Sequence, residues 1–111
     1  MRPNSFEIEQ RRHGSVVTFS LLGELDMRTG PQLSDALTRQ LGGGARDVTL
    51  DLRKLAFLDS SGLRLLIELY DRSLREAWEL KLVWPEQEAA ALVIRSTGAE
   101  KALPFVQAAD E

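Results

Sequence analysis

The stretch Val48-Thr49-Leu50-Asp51-Leu52-Arg53-Lys54-Leu55-Ala56-Phe57-Leu58-Asp59-Ser60-Ser61-Gly62-Leu63 governs the reading of the whole chain. Residues 48–52 have the residue types of a short strand, and 55–58 form an apolar approach to a tetrad of one carboxylate, two hydroxyls and a glycine at 59–62. Beyond it Leu66, Ile67, Tyr70, Leu74 and Ala77 recur three or four residues apart, while Glu68, Asp71, Arg72, Arg75 and Glu76 fall mostly elsewhere. That period predicts an amphipathic helix over about 61–77.

Upstream, residues 6–10 alternate apolar and charged, and His13-Gly14 supplies a turn signal, so a hairpin is expected. The run 16–22 is rich in β-branched and aromatic residues, reads as apolar on both faces, and is expected to form a central strand ending at Gly23. Thr29-Gly30-Pro31 offers a capping threonine and a first-turn proline ahead of Leu33, Ala36, Leu37 and Leu41, which predicts a helix over about 30–41 ended by Gly42-Gly43-Gly44. Downstream, Leu80, Leu82 and Trp84 alternate with Lys81 as a strand. Pro85-Glu86 opens a third helical pattern through Ala90, Val93, Ile94 and Thr97 to Gly98, and an edge strand is expected at 105–107.

Strands separated by helices require crossover connections. The fold class expected is therefore an α/β sandwich: a mixed, mainly parallel sheet of four to five strands with helices packed against it, in a single domain over 1–111.

The chain has 111 residues, 43% hydrophobic and 28% charged, which suits one globular domain and neither a disordered polymer nor a membrane protein. Fourteen Lys and Arg against seventeen Asp and Glu give a net charge of −3 with no basic stretch, so no direct nucleic-acid binding is expected. With no cysteine, disulfides, thiolate metal sites and cysteine nucleophiles are excluded, and the single histidine, His13, cannot build a multi-histidine metal site. No run has the length of a membrane span or the pattern of a signal peptide, so a cytoplasmic location is expected.

Enzyme chemistry finds little to stand on. His13 falls near a turn, Leu58 occupies the place of the first glycine in a nucleophile elbow, and the triple glycine follows a helix rather than preceding one, the reverse of a phosphate-cradling loop. Asp51 with Asp59, or Asp26 with Asp59, are the carboxylate pairs available for acid–base work, at a separation the sequence does not set. Trp78 and Trp84 read as core or rim aromatics.

The tetrad 59–62 has a more specific physical setting. Asp59 or Ser60 is placed to accept the first free amides of the helix, which makes the segment an N-cap. Alternatively Ser61, in the first turn, is a phosphate acceptor: about −1.5 to −2 charges added there are tolerated by the positive end of the helix dipole. A partner packed over the helix start would meet a desolvated dianion beside Asp59 and be expelled. Arg64, three residues on, lies near enough on the helix to pair with such a phosphate or to remain solvated.

The segments Leu50-Asp51-Leu52, Phe57-Leu58-Asp59-Ser60-Ser61-Gly62-Leu63, Leu22-Gly23-Glu24-Leu25-Asp26, Ser96-Thr97-Gly98 and Leu103-Pro104-Phe105 together resemble the STAS domains, in particular the anti-sigma factor antagonists. The resemblance runs in order along nearly the whole chain. It implies a non-enzymatic protein that, unphosphorylated, binds an anti-sigma factor of the serine-protein kinase type and frees a sigma factor. Phosphorylation at Ser61, or at the neighbouring Ser60, switches it off. It further implies partner contacts at Asp26, Asp59, Ser60, Ser61, Gly62 and Arg64, no cofactor or metal, and a monomer or weak dimer. Asp26→Ala is then expected to weaken docking without lowering stability. Arg64 and the pair Arg53-Lys54 depart from the residues usual in the family, which bears on partner identity. The other reading is a STAS subunit of a different assembly, a lipid-transport ATPase complex or a signalling array, holding a constitutive partner.

Overall fold

The structure, a computed structural model, describes residues 5–107. In chain order it contains β1 (Phe6–His13), β2 (Val16–Leu25), α1 (Gly30–Gly42), β3 (Asp47–Asp51), β4 (Leu55–Leu58), α2 (Ser60–Glu76), β5 (Glu79–Val83), α3 (Glu88–Thr97), a 3-10 turn (Ala99–Lys101) and β6 (Phe105–Val106). One six-stranded sheet runs β1-β2-β3-β5-β6, with β4 joined to β2. Only β1 and β2 are antiparallel; every other pairing is parallel. The mixed, mainly parallel α/β class is therefore as expected, with one or two more strands than the four to five read from sequence. The strand not read as one is β4, the apolar approach to the tetrad, whereas the short β6 falls where the edge strand was expected.

The strands of the hairpin are longer than their residue patterns suggest. β1 carries its pairing through Arg11, Arg12 and His13, where no apolar alternation marks a strand, because each residue finds a partner on β2 down to Val16. β2 in turn does not stop at Gly23. It adopts φ +96° there, shifts register, and pairs Glu24 and Leu25 with Phe57 and Leu58 of β4. Only glycine serves at position 23: a Cβ would run into the backbone carbonyl of Ser5, which accepts the Glu24 N–H at 3.0 Å.

The core lies on one face of the sheet. Val17, Phe19, Leu21, Val48, Leu50, Leu80 and Leu82 are at most 3% exposed, and with Leu33, Leu37, Leu66, Leu69 and Ile94 of the helices they form a single apolar cluster. The reverse face carries half-buried Thr18, Ser20, Thr49, Asp51 and Lys81. The expectation that 16–22 is apolar on both faces is thus corrected: alternation puts only one set inside, and Val16 is 44% exposed.

The buried stripe of α2 is also rotated from the one read in the sequence. Leu63, Leu66, Leu69 and Ser73 face the core, whereas Ile67 and Leu74 are 43% and 67% exposed. Ser73 is admitted because its hydroxyl donates to the Tyr70 carbonyl at 2.6 Å, so a polar residue occupies an apolar seam without an unmet hydrogen bond. Similarly α3 begins at Glu88 rather than at Pro85-Glu86. The Glu86 N–H donates to the Arg53 carbonyl at 3.3 Å and Gln87 keeps extended dihedrals, which delays the first helical turn. β5 ends at Val83, and Trp84 beyond it packs edge-on against Phe105 at 4.9 Å; Trp78 is buried, as the rim and core assignments anticipated. Among the described residues no helix is long and apolar enough to cross a membrane.

Candidate functional site

Parallel strands β2 and β4 end side by side, Leu25 against Leu58, so the segments that follow them, 26–29 and Asp59, emerge at the same sheet end. The first is a tightly bonded turn. Asp26 Oδ1 accepts the backbone N–H groups of Arg28 at 2.9 Å and Thr29 at 3.2 Å, and Oδ2 pairs with the Arg28 guanidinium at 3.1 Å. Thr29 occupies the N-cap position of α1 but makes no side-chain capping bond. Its hydroxyl instead donates to the Glu24 carbonyl at 2.8 Å and receives the Asp26 N–H at 3.0 Å. Burial works against the Asp26 charge but is outweighed by the Thr29 and Arg28 amides and the Arg28 charge, which together hold its carboxyl below the usual range.

The second segment is the start of α2. Asp59, extended, is the N-cap and accepts the Gly62 N–H at 2.9 Å, so of the two capping candidates the carboxylate is the one used. Gly62 packs directly on β2: a Cβ would collide with the Leu25 carbonyl oxygen and lie 2.8 Å from the Leu58 methyl. This close approach seats the helix start against the turn at Asp26. Gly30, whose absent Cβ would lie 3.2 Å from Leu65, brings the start of α1 equally close to α2.

Between the two helix starts lies an open groove of about 470 Å³ whose polar lining comes from Asp26, Ser34, Asp35, Ser61 and Arg64, with Met27, Gly30, Pro31 and Leu65 completing it. Ser61 is half-buried and Arg64 exposed within it. Ser60 is exposed but does not line the groove, and neither does Asp59. Of the six residues proposed for partner contact, the structure brings Asp26, Ser61 and Arg64 together in one groove, while Asp59 and Gly62 build the helix start behind it. Met27, Ser34 and Asp35 were not foreseen. Met27, 75% exposed beside Asp26, is an apolar residue in a turn, and that oddity was the only signal available.

Asp51 stands apart from this site. It opens on the reverse sheet face with Glu9, Arg11 and Arg53, where Arg53 Nε and Nη2 contact its two oxygens at 3.0 and 2.7 Å. Burial opposes its charge, and the Arg53 side chain and N–H, with Lys54 beyond, outweigh it and lower the carboxyl. Each carboxylate considered for acid–base chemistry is engaged by a donor: Asp51 by Arg53, Asp59 by its helix amide and Asp26 by its own turn. Among the described residues no group of three or more His, Cys, Asp or Glu side chains is arranged to hold a metal.

The sequence profile of the STAS domain matches residues 7–111. The chain belongs to the STAS domain family. This STAS domain is similar to the anti-sigma-B factor antagonist of Staphylococcus aureus (strain NCTC 8325 / PS 47), 40% identical over 45 residues that make up 40% of this chain and 42% of that protein. It is similar also to the anti-sigma-B factor antagonist of Staphylococcus epidermidis, 32% identical over 63 residues, 57% of this chain and 58% of that one. The matched part thus spans about half the length of these curated relatives. Among solved structures, an anti-sigma factor antagonist from Mycobacterium paratuberculosis superposes with a TM-score of 0.80 at 28% identity, covering 96% of this STAS domain and 90% of that chain. SpoIIAA in its unphosphorylated form gives 0.74 at 20% identity, covering 96% and 90%, and Bacillus SpoIIAA in its phosphorylated form gives 0.68 at 21%, covering 96% and 93%. At those identities the SpoIIAA structures speak for the fold.

Proposed function

We propose that this STAS domain is an anti-sigma factor antagonist. Unphosphorylated, it binds an anti-sigma factor of the serine-protein kinase type and so frees a sigma factor; phosphorylation of Ser61 ends the binding. The names of the relatives support the class of activity, and one observation carries the site: Ser61 stands part-exposed in the first turn of α2, in a groove shared with Arg64 and the Asp26 turn. A kinase reaches the hydroxyl there without unfolding the domain. A dianion placed there is held by the helix dipole and by Arg64, so the phosphorylated domain stays folded. A partner seated over the groove meets added volume, the cost of desolvating the phosphate, and a dianion added to the negative charges of Asp26 and Asp35. The domain acts as a ligand and a substrate of its partner, and no cofactor of its own enters the reading.

The test is phosphate incorporation and binding with a cognate anti-sigma kinase. Ser61→Ala is expected to abolish labelling while retaining the fold by circular dichroism, and Ser61→Asp, with a smaller charge than phosphate, to weaken binding at least about tenfold. Unchanged labelling of Ser61→Ala, together with loss in Ser60→Ala, moves the acceptor to the exposed neighbour. No labelling of the unaltered domain, with binding indifferent to Ser61→Asp, overturns the switch and leaves a constitutive module of another assembly.

A further inference from the structure

The outer edge of β1 is open. Among the described residues β1 pairs with β2 alone, along its full length from Phe6 to His13, and every residue of it is exposed except the half-buried Phe6 and Ile8. Its hairpin end is also tied down. Arg12 donates to the Gly14 carbonyl at 2.7 Å, to Gln40 Oε1 at 2.9 Å and to the Gly43 carbonyl at 2.8 Å, which braces the hairpin end against the C-terminus of α1. A long exposed edge presents backbone donors and acceptors to any strand that fits, and charged side chains are the usual guard against this.

The order of the charges on β1 does not guard against its own copy. Glu7 and Glu9 occupy the first half, Arg11 and Arg12 the second. A second β1 running antiparallel brings acid opposite base. The hairpin fixes the hydrogen-bond phase of that edge, and the charges then choose the register. Gly14, at φ +60°, and Ser15 form a two-residue turn, which makes His13 and Val16 a hydrogen-bonded pair and turns the backbone groups of the even-numbered residues of β1 outward. Pairing outward groups only, Gln10 faces its own copy, Ile8 faces Arg12, Glu9 faces Arg11 and Glu7 faces His13. The two neighbouring registers set either Glu9 or Arg11 against itself.

We propose that this chain self-associates through β1, as a two-fold symmetric antiparallel strand pair centred on Gln10 that joins two sheets into one. The occupant of the edge is a second copy of the chain because the edge is complementary to itself in sign and in hydrogen-bond phase, the requirement of an isologous contact. Antiparallel pairing sends the two groove-bearing sheet ends in opposite directions, so both Ser61 sites stay open in the dimer. The inference is independent of the proposed function.

Sedimentation equilibrium on the full chain tests it. The unaltered protein is expected to show a reversible dimer. Glu9→Arg or Arg11→Glu alone is expected to weaken dimerisation about tenfold or more, since symmetry converts two favourable cross-strand pairs into two repulsive ones, and the double reversal to restore it. A monomer at every concentration, or a dimer indifferent to the single reversals, overturns the proposal. Where a charge reversal impairs folding, Gln10→Cys decides: it is the only thiol in the chain and lies about 5.5 Å, Cα to Cα, from its own copy, so a short bismaleimide captures it. His13→Cys, remote from its own copy in this register, is not captured. Equal capture at both positions, or none at position 10, refutes the register.

Discussion

The Asp26 carboxylate accepts two backbone N–H groups and the Arg28 guanidinium while only 12% of its side chain is exposed. Its removal leaves two turn amides without their acceptor at the entry of α1. The expectation that Asp26→Ala lowers docking alone is therefore revised: the variant is expected to lose about 1–2 kcal/mol in urea unfolding, with Asp26→Asn, which keeps an acceptor oxygen, losing less. A comparison of the two variants for binding at a temperature where both are folded separates the turn's geometry from the charge. Position 26 was legible in the sequence as a carboxylate following a strand. Its bonding was not, because it depends on Thr29 turning its hydroxyl back to the Glu24 carbonyl instead of capping its own helix.

For α2 the approximate start and length were readable from local chemistry, with the cap narrowed to Asp59 or Ser60, since a carboxylate and small residues ahead of an apolar period are a local signal. Which side faces inward was not. Periodicity weighed Ile67 and Leu74 as core and had no means to place Ser73 there; the closeness of β2 to Gly62 fixes the helix rotation. Gly62→Ala tests this contact. A methyl would meet the Leu25 carbonyl and the Leu58 side chain, so α2 must move away from the sheet, and a loss of about 1–3 kcal/mol is expected in spite of alanine's better helix propensity. Because the shift displaces Ser61 relative to the Asp26 turn, kinase labelling is expected to fall as well. A variant as stable as the parent would mean that the helix start tolerates displacement and that its seating is loose.

Across the whole molecule, Asp26 and Asp51, whose carboxyls are held low in the folded state, contribute to the dependence of stability on acid. Both bind protons more weakly folded than unfolded, so their contribution is fully present above about pH 4 and is lost as pH falls through the lowered folded-state values. Chemical denaturation between neutral pH and about pH 3 is expected to show stability falling below about pH 4, and Asp51→Asn to flatten part of that fall. Residue order along the chain was enough to establish the alternation of strands and helices, the turn glycines and the phosphoacceptor candidate, because strand period, helix period and capping are interactions between near neighbours. Folding in three dimensions alone settled that β2 serves two parallel partners in succession, that the sheet is covered on one face, and that Ser61, Arg64 and Asp26 share a groove. Those outcomes depend on contacts between residues tens of positions apart, where the alignment of one strand end against another sets the geometry and no short-range pattern records it.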